Sequence, residues 1–448
     1  MKLLQSNSAF ALVCFAACCI NIIGYYPGFS SPDTYDQYQQ ALHHVYQDWH
    51  PPLMAYVWHI LLHLHHGIFP MLVAQLLLLY ASCFCIGSTF KSATSKLLCV
   101  LCFLLLPFVQ NFAGYIIKDV QMAYAWLLSI AIMYWLVFKH HKSYGLYAAI
   151  ALLLITYGAW LRYNAVFALL PLCFIWMKVF SPLQNFWKLL LSASLLLLVI
   201  IKTEKLFKVA IGATKQYPEQ VLLMHDLSGI FVTTSKNVFP QSFYQDANFD
   251  TAYIRANYRL SSYDNIWWNA DHKSIVPQNI TNATYQLKQA WLNAIINHPA
   301  AYLQNRCIGY LYFLRWYKRN DIFINFYFSQ FPNANSYGNS SNSNIIKMGS
   351  YMAGFVMAQK NAYYMQPWFW LLLNVVLFAF LHYIKNPFKK QLALALLFSS
   401  LIYAFSQLVL FTTDSDFRYF YWNCLAISFS LFLILASVVE NKQLKNNQ

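Results

Sequence analysis

The sequence predicts an all-α polytopic membrane protein with about ten transmembrane helices, and three observations support this fold class. Hydrophobic residues make up 59% of the 448 residues and charged residues only 10%, whereas soluble globular proteins carry about 25% charged residues. Apolar runs of about 20 residues, the length that spans a bilayer, recur along the chain. Much of the net charge of +15 lies in short linkers between these runs. The composition therefore excludes an ordinary soluble enzyme, a disordered chain and a disulfide scaffold.

Ten apolar runs divide the chain into three parts. An N-terminal transmembrane module, residues 1–203, contains seven of them, at 8–26, 70–89, 97–113, 120–138, 144–161, 163–180 and 188–203. A polar and aromatic segment follows and is long enough for a small extracytoplasmic domain, over 204–365. The C-terminal part, 366–448, contains the last three runs, at 366–384, 391–411 and 419–439. The first run lacks a convincing cleavage site, which favours a retained helix over a signal peptide.

Basic linkers predict how these helices are oriented. With a cytoplasmic N-terminus, one side of the membrane receives Lys91, Lys96, Lys139, Lys142, Lys178, Lys188, Lys385, Lys389, Lys390, Lys442 and Lys445. The positive-inside rule assigns this side, and both termini, to the cytoplasm, with the protein in the plasma (inner) membrane. The opposite side receives 27–69, 112–119, 161–163, 204–365 and 412–418, which hold nearly all the acidic residues. Because the basic excess encodes topology, we expect no nucleic-acid partner.

The first outer loop, 27–69, carries the strongest signals for chemistry. Asp33 opens a helix-compatible stretch over 33–47, and Asp36 lies on the same helical face. Asp33 is either a cap for exposed N–H groups or an acid/base or cation-binding carboxylate. The segment 53–66 follows Pro51-Pro52 and is predicted to be a helix in the membrane interface. His59 and His63 are spaced to share a metal ion, although side chains of an amphipathic interfacial helix explain them more simply.

An aspartate just after the first transmembrane helix, a short helical stretch and then His-Pro-Pro-Leu resembles the GT-C superfamily of polytopic membrane glycosyltransferases. Protein O-mannosyltransferases and the lipid A aminoarabinose transferase belong to it, and the closest likeness is to bacterial glycosyltransferase-like membrane proteins. The matching residues are Asp33, Tyr35, His50, Pro51, Pro52 and Leu53. The resemblance covers the N-terminal helices over about 8–180. It implies a polyprenyl-phosphate-linked sugar donor and an acidic active-site residue in the second outer loop, which we carry onto Asp119.

Basic residues at outer turns are candidates for binding the phosphate of such a donor. Arg162 and Arg418 come first, because a guanidinium binds phosphate bidentately, and Lys118 comes third. An outward arginine opposes the charge asymmetry, which favours a specific partner over simple snorkelling. The alternative for Arg418 is an ion pair with Asp414 or Asp416, and Asp416 is itself a secondary candidate.

Two further groups of polar residues lie in the segment 204–365. We expect the basic residues after its aromatic run to meet lipid headgroups; they are Arg315, Lys318 and Arg319. His225-Asp226 is a weaker candidate for contact with the acceptor. Neither group is part of the predicted catalytic set.

The predicted function is a membrane glycosyltransferase that moves a sugar from a lipid-phosphate donor to an extracytoplasmic glycan, lipid or protein. Asp33 is the predicted base of an inverting displacement, with a pKa that we expect apolar surroundings to raise. His50 is predicted to orient the acceptor or the donor phosphate. No cofactor is required by this scheme, and a divalent metal is left open. A flippase or transporter of a lipid-linked glycan, and a membrane glycan polymerase or ligase, are the alternatives.

Overall fold

The computed structural model describes residues 6–139, 144–245, 249–267, 280–317, 351, 354–356, 358–359, 361–411 and 415–446. Across these residues the chain forms helices and turns, with three isolated β-bridges and no strand. Residues 332–344, whose Asn- and Ser-rich sequence predicts a loop, lie outside the described residues. The same is true of Lys142, Lys318, Arg319 and Asp414.

Ten helices form the N-terminal part of the chain. They are α1 (Asn7–Tyr25), α2 (Pro32–His43), α3 (Leu53–Leu62), α4 (Phe69–Gly87), α5 (Ala93–Leu105), α6 (Pro107–Ala113), α7 (Lys118–Lys139), α8 (Tyr144–Ala159), α9 (Ala165–Phe180) and α10 (Phe186–Ala210). The helices α2 and α3 fall where the first outer loop was predicted to be helical.

Shorter and more polar helices follow α10 before the apolar helices return. They are α11 (Glu219–Thr234), α12 (Thr251–Asn257), α13 (Asp264–Trp267), α14 (Ile280–Asn297) and α15 (Pro299–Phe313), with a 3₁₀ turn at Gln241–Gln245. The chain ends with α16 (Pro367–Phe380), α17 (Pro387–Ser406) and α18 (Tyr421–Asn446). Leu223, Ile230, Phe243, Ile254 and Leu287 form a separate apolar core within α11–α14.

The chain is a helical membrane protein in which six described helical stretches are long and apolar enough to cross a bilayer. They are Asn7–Tyr25, Phe69–Gly87, Lys118–Lys139, Phe186–Ala210, Pro387–Val409 and Phe417–Asn441. Shorter apolar helices occupy Tyr144–Ala159, Ala165–Phe180 and Pro367–Tyr383. The prediction of one unbroken helix over 97–113 is wrong. Pro107 starts a new helix, α6, which is bent by 58° from α5, because proline removes a backbone hydrogen bond and clashes with the preceding turn.

The helix α7 is the central element of the bundle. Its apolar stretch is 89% buried, against 17% for α10, and it packs on α4, α8 and α18. A helix that is hydrophobic all round is stable in such a position because every face has an apolar neighbour. The first turn of α7 nevertheless contains Lys118 and Asp119, both buried.

The start of α1 lies at the same end of the bundle as the end of α7. The end of α18 is also there, because Lys389 Nζ is 2.6 Å from Glu440 Oε1 and 5.1 Å from the centre of the Phe138 ring. Lys96 Nζ, near the start of α5, donates a hydrogen bond to Asn7 Oδ1 at 3.1 Å. Phe90, just before α5, packs its ring 5.4 Å from that of Phe432, and Phe432 also contacts Tyr134 near the end of α7. The first residues of α7 and α18 are therefore at the opposite end, where the candidate site lies.

Candidate active site

The helix α2 begins with a capping box that does not use Asp33. Ser31 Oγ accepts a hydrogen bond from the backbone N–H of Thr34 at 3.2 Å, and Thr34 Oγ1 accepts one from Ser31 N at 3.1 Å. Pro32 occupies the first turn, where its missing N–H costs nothing. The capping interpretation of Asp33 is therefore wrong, because Ser31 is the cap. The Asp33 carboxylate points to other partners.

Short backbone contacts fix the start of α2 against the start of α7. Phe29 N donates to Gly114 O at 2.8 Å, and Ile116 N donates to Phe29 O at 3.0 Å. Thr34 Oγ1 donates to Ile116 O at 2.6 Å. These bonds satisfy polar backbone groups in a buried turn. They also place the first turn of α2 beside Lys118.

The segment that carries His50 is held by hydrogen bonds to two other parts of the chain. Asp48 N donates to Thr214 O at 2.9 Å, and Asp48 Oδ1 accepts from Gln216 N at 2.6 Å. The Tyr163 hydroxyl donates to Asp48 O at 2.6 Å. The loop between α2 and α3 is thus attached both to the α8–α9 turn and to the chain that follows α10.

Asp33 lies at the centre of the site, with partners from three distant parts of the chain. Its Oδ2 atom is 3.2 Å from Lys118 Nζ and 3.2 Å from Arg418 Nη1. Its Oδ1 atom is 3.6 Å from His50 Nε2. Lys118 Nζ also donates to His50 Nδ1 at 2.8 Å. The lysine and arginine side chains are 5% and 10% exposed, whereas that of Asp33 is 27% exposed, so Asp33 is the most exposed of the three.

A second group of ion pairs adjoins Asp33. Arg162 Nη1 is 3.0 Å from Asp119 Oδ1, and this aspartate is almost fully buried. Arg418 Nε is 2.9 Å from Asp416 Oδ2. The two guanidinium groups both lie against the ring of Tyr419, 4.6 and 4.9 Å from its centre. We call the full set the charge cluster; it consists of Asp33, His50, Lys118, Asp119, Arg162, Asp416 and Arg418.

The surroundings of Asp33 shift its pKa in the direction opposite to our expectation. Burial raises the pKa of a carboxyl group, but the charges of Lys118 and Arg418, together with the adjacent His50 imidazole, outweigh this and hold the pKa of Asp33 well below its usual value. The prediction of a raised pKa is therefore wrong. Asp33 is an ionised carboxylate at neutral pH, and its basicity is low while its cations remain in contact.

His50 is neutral at pH 7 in this environment. Burial and the adjacent Lys118 ammonium lower the pKa of His50 below its ordinary value. The ammonium has no acceptor capacity, so the Nδ1 atom that it contacts must be the unprotonated nitrogen. The proton on Nε2 then faces Asp33, which assigns the tautomer from the hydrogen-bond partners. The charge cluster consequently holds three carboxylates, three cations and one neutral imidazole.

Two of these cations make the centre of the charge cluster a candidate site for an anion. Two buried cations, Lys118 and Arg418, converge on one carboxylate oxygen of Asp33. Because Asp33 is more exposed than its two cations, an incoming phosphate that reached the carboxylate would compete with it for both cations. Charge-assisted hydrogen bonds of this kind are among the strongest in proteins.

The secondary candidates of the first outer loop lie outside the charge cluster. Asp36 accepts hydrogen bonds from Gln40 Nε2 at 2.8 Å and from Gln47 Nε2 at 3.0 Å. Tyr35 has a half-exposed side chain. Asp36 thus orders the end of α2 and the loop that follows it.

His225 and Asp226 lie in the core of the α11–α15 segment. Asp226 Oδ2 is 2.6 Å from Arg306 Nη2 and accepts a hydrogen bond from Trp291 Nε1 at 2.8 Å. His225 Nε2 contacts the carbonyl oxygen of Arg259 at 3.0 Å. The ion pair is buried on both sides. Its position favours a structural role within this segment over contact with an acceptor.

Three residues near the charge cluster are not among the predicted site residues. Tyr419 supports both arginines, as described above. Asp264 in α13 is close enough that burial and the Asp416 carboxylate raise its pKa. Arg315 is buried, lies over the ring of Phe417 at 5.4 Å and donates to Met365 O at 3.3 Å. The expectation that Arg315 meets lipid headgroups is therefore wrong. The sequence pattern, basic and aromatic residues next to an apolar helix, does not distinguish an arginine buried in the protein from one that meets lipid headgroups.

Among the described residues, no group of three or more His, Cys, Asp and Glu side chains is arranged to hold a metal ion. The rings of His59 and His63 are 5.0 Å apart, and His59 also packs on His44. His59 Nδ1 lies 3.1 Å from the carbonyl oxygen of Ala41. These contacts fit the simpler interpretation, in which the histidines pack against each other and against α2.

Comparison of the chain with protein-family models, with curated proteins and with solved structures finds no match. The geometry of the charge cluster and its place in the bundle are therefore the basis for inferring function.

Proposed function

We propose that this chain is a membrane glycosyltransferase of the GT-C type, which transfers a sugar from a polyprenyl-phosphate-linked donor to an extracytoplasmic glycan, lipid or protein. The observation that carries the proposal is the convergence of Asp33, Lys118 and Arg418 at one end of an apolar helical bundle. A lipid-linked sugar donor places its phosphate at the bilayer surface, beside such a cluster. Transfer from this donor requires a membrane-embedded support for the lipid, cations for the phosphate and a carboxylate for the acceptor.

The proposed topology has ten spans, with the shorter apolar helices α8, α9 and α16 included and α5–α6 taken as one bent span. The helices α2 and α3 then lie in the interface. Lysines at the bundle end opposite the charge cluster support a cytoplasmic location for that end, in the plasma (inner) membrane; they include Lys91, Lys139, Lys178 and Lys385. The charge cluster then faces the extracytoplasmic side.

In this proposal Lys118 and Arg418 bind the donor phosphate. The phosphate takes over contacts that Asp33 makes with these two cations, so donor binding and release of the carboxylate are one event. Arg162 is held by Asp119 and lies against Tyr419, and it adds positive charge behind Arg418. Preorganised cations of this kind stabilise negative charge that develops on a leaving group.

Asp33 is the proposed general base. The acceptor hydroxyl oxygen forms a bond to the anomeric carbon while the bond from that carbon to the phosphate oxygen breaks. The electron pair leaves with the polyprenyl phosphate, and the hydroxyl proton passes to the Asp33 carboxylate. A phosphate that neutralises Lys118 and Arg418 raises the proton affinity of Asp33 at the step where a base is needed. His50 orients the carboxylate, and one displacement inverts the anomeric configuration.

The positions of charge within the spans favour an enzyme over a flippase or transporter. Transporters place polar sites near the bilayer midplane, often in broken helices. Two of the six candidate spans, Asn7–Tyr25 and Phe69–Gly87, contain no charged residue, and in the other four every charged side chain lies within nine residues of an end. The charge cluster likewise lies at helix ends. A glycan polymerase or ligase shares this feature, so the identity of the transferred unit separates it from a single-sugar transferase.

A glycan profile of the cell envelope tests the proposal. Mass spectrometry of a gene-deletion strain should show envelope glycans that lack one sugar, which would identify the donor class and the acceptor together. Loss of a whole repeating polymer would favour the polymerase or ligase. An unchanged set of sugars, with a lipid-linked precursor retained on the inner leaflet, would contradict the proposal and favour a flippase.

A further inference from the structure

A polar cleft in the α11–α15 segment is separate from the residues of the charge cluster. It has a volume of about 520 Å³ and lies between the chain at residues 237–242 and the helix α14. Binding sites for small molecules have volumes of roughly 300–1,000 Å³. Contact between Ser242 Oγ and Gln286 Oε1 joins the two walls.

The sequence of α14 explains why this cleft is polar. Gln286, Gln289, Asn293 and Asn297 follow at intervals of three and four residues, so that their side chains form a stripe along one helical face. The adjoining face buries Leu287 in the apolar core of the segment. Helix interiors do not favour asparagine, so Asn293 gains nothing for helix stability at its exposed position; Asn297 is the last residue of α14.

The chemistry of the lining determines the class of ligand. Six of its fourteen lining residues carry a side-chain amide, and each amide offers both hydrogen-bond donors and acceptors. A hydroxyl group has the same dual character. The lining contains no Asp, Glu, Lys or Arg, and His298 is its one imidazole, so it holds no permanently charged side chain to balance a charged ligand. Buried or half-buried apolar atoms of Phe239, Ala290 and Ala294 complete the lining.

We infer that this cleft binds an uncharged oligosaccharide, whose hydroxyl groups meet the amide stripe and whose C–H faces meet the apolar part of the lining. The inference rests on the proposed function, because the bound glycan would be the acceptor. Known peptide-binding modes fit less well: they need an open sheet edge, an apolar groove for a helix or an aromatic groove for a proline-rich segment. Amides line this cleft instead, and the described part of the segment has no strand.

Binding to a glycan microarray tests the inference with the full-length protein in lipid nanodiscs. The array carries uncharged oligosaccharides of hexoses and N-acetylhexosamines, printed beside phosphorylated and carboxylated glycans and beside peptides. The test variant is Gln289→Ala/Asn293→Ala, at two exposed positions of the stripe. The matched control is Gln304→Ala, an exposed amide on α15 outside the cleft.

The wild-type protein and the Gln304→Ala control should bind the same uncharged glycans. The double variant should bind them about tenfold more weakly or less well still, because each lost amide hydrogen bond reduces affinity roughly three- to tenfold. If the double variant fails to fold by its thermal transition, Asn293→Ala and its conservative counterpart Asn293→Gln take its place, and only the alanine variant should lose binding. Absence of binding to any uncharged glycan, unchanged binding by the variant, or binding confined to peptides or anionic glycans would each overturn the inference.

The same assay separates this inference from the proposed function. It uses no donor and measures no transfer, so Asp33→Asn should bind glycans as the wild-type protein does. Transfer that depends on Asp33, together with a cleft that binds no uncharged glycan, would refute the inference alone. Glycan binding in the cleft, together with normal transfer by Asp33→Asn, would refute the catalytic assignment alone.

Discussion

Replacing Lys118 by methionine should destabilise the protein through loss of its contacts with Asp33 and His50. A hydrogen bond to a charged group contributes about 1.5–3 kcal/mol to stability. Removing one partner of a fully buried ion pair costs about 3–5 kcal/mol, but Asp33 is 27% exposed and keeps Arg418 at 3.2 Å. We therefore expect Lys118→Met to lower the free energy of unfolding by about 2 kcal/mol.

A double-mutant cycle isolates the interaction between Lys118 and Asp33. Unfolding in mixed detergent micelles is measured for the wild-type protein, Lys118→Met, Asp33→Asn and the double variant. The double variant should be more stable than the sum of the single effects predicts, by about 1–3 kcal/mol, because it leaves no unpaired charge between these positions. Lys188→Met, at an exposed lysine at the start of α10, is the control and should change stability by less than about 0.5 kcal/mol. Additive single effects would refute the contact and, with it, the geometry of the charge cluster.

Two further predictions concern other members of the charge cluster. Arg418→Lys should weaken binding of polyprenyl phosphate at least about tenfold by surface plasmon resonance, because an ammonium cannot engage Asp33 and Asp416 in the way a guanidinium fork does; equal affinity of both proteins would contradict the phosphate assignment. The thermal transition of the wild-type protein should fall between pH 7.5 and pH 5.5, because the folded protein keeps His50 neutral while the unfolded chain takes up a proton below a pKa of about 6.5. His50→Gln should reduce this fall in the thermal transition, and an unchanged pH profile of the variant would show that His50 is not the group responsible. Asp33 does not contribute in this pH range. Its depressed pKa costs stability only near and below its unfolded value of about 3.9.

The positions of the membrane helices follow from the sequence because the length of an apolar run is a local property. The run predicted at 8–26 is observed as Asn7–Tyr25, and the one at 120–138 as Lys118–Lys139. Breaks within an apolar run are harder to predict from the sequence. Pro171 lies inside the continuous helix α9, whereas Pro107 separates α5 from α6. Both prolines have apolar neighbours, so the difference arises from packing that the local sequence does not contain.

The sequence identifies the members of the charge cluster better than it identifies their partners. The topology predicted from the sequence places five of its members on one side of the membrane: Asp33, His50, Asp119, Arg162 and Arg418. Nothing in a single sequence pairs Asp33 with an arginine 385 positions away. The sign of the pKa shift of Asp33 depends on that pairing, because burial alone would raise the pKa.

The capping alternative for Asp33 is excluded for a local reason. Ser31 and Asp33 both have side chains that favour helix N-termini, and the sequence alone left Asp33 as either a cap or an acid/base carboxylate. Thr34 stands three residues after Ser31 and completes a reciprocal pair of hydrogen bonds with it. The proline at position 32, which suits the first turn of a helix, was the available signal.

Complementation of the deletion strain with Asp33→Asn tests the central claim most directly. The matched control is Asp36→Asn, which changes the same chemical group on the same helix outside the charge cluster. The wild-type gene and Asp36→Asn should restore the missing envelope sugar, whereas Asp33→Asn, present in the membrane at equal amount, should reduce its transfer by about 10²–10⁴-fold. Restoration of the sugar by Asp33→Asn at a near-normal rate would contradict the assignment of the charge cluster as a glycosyltransferase active site with Asp33 as its base.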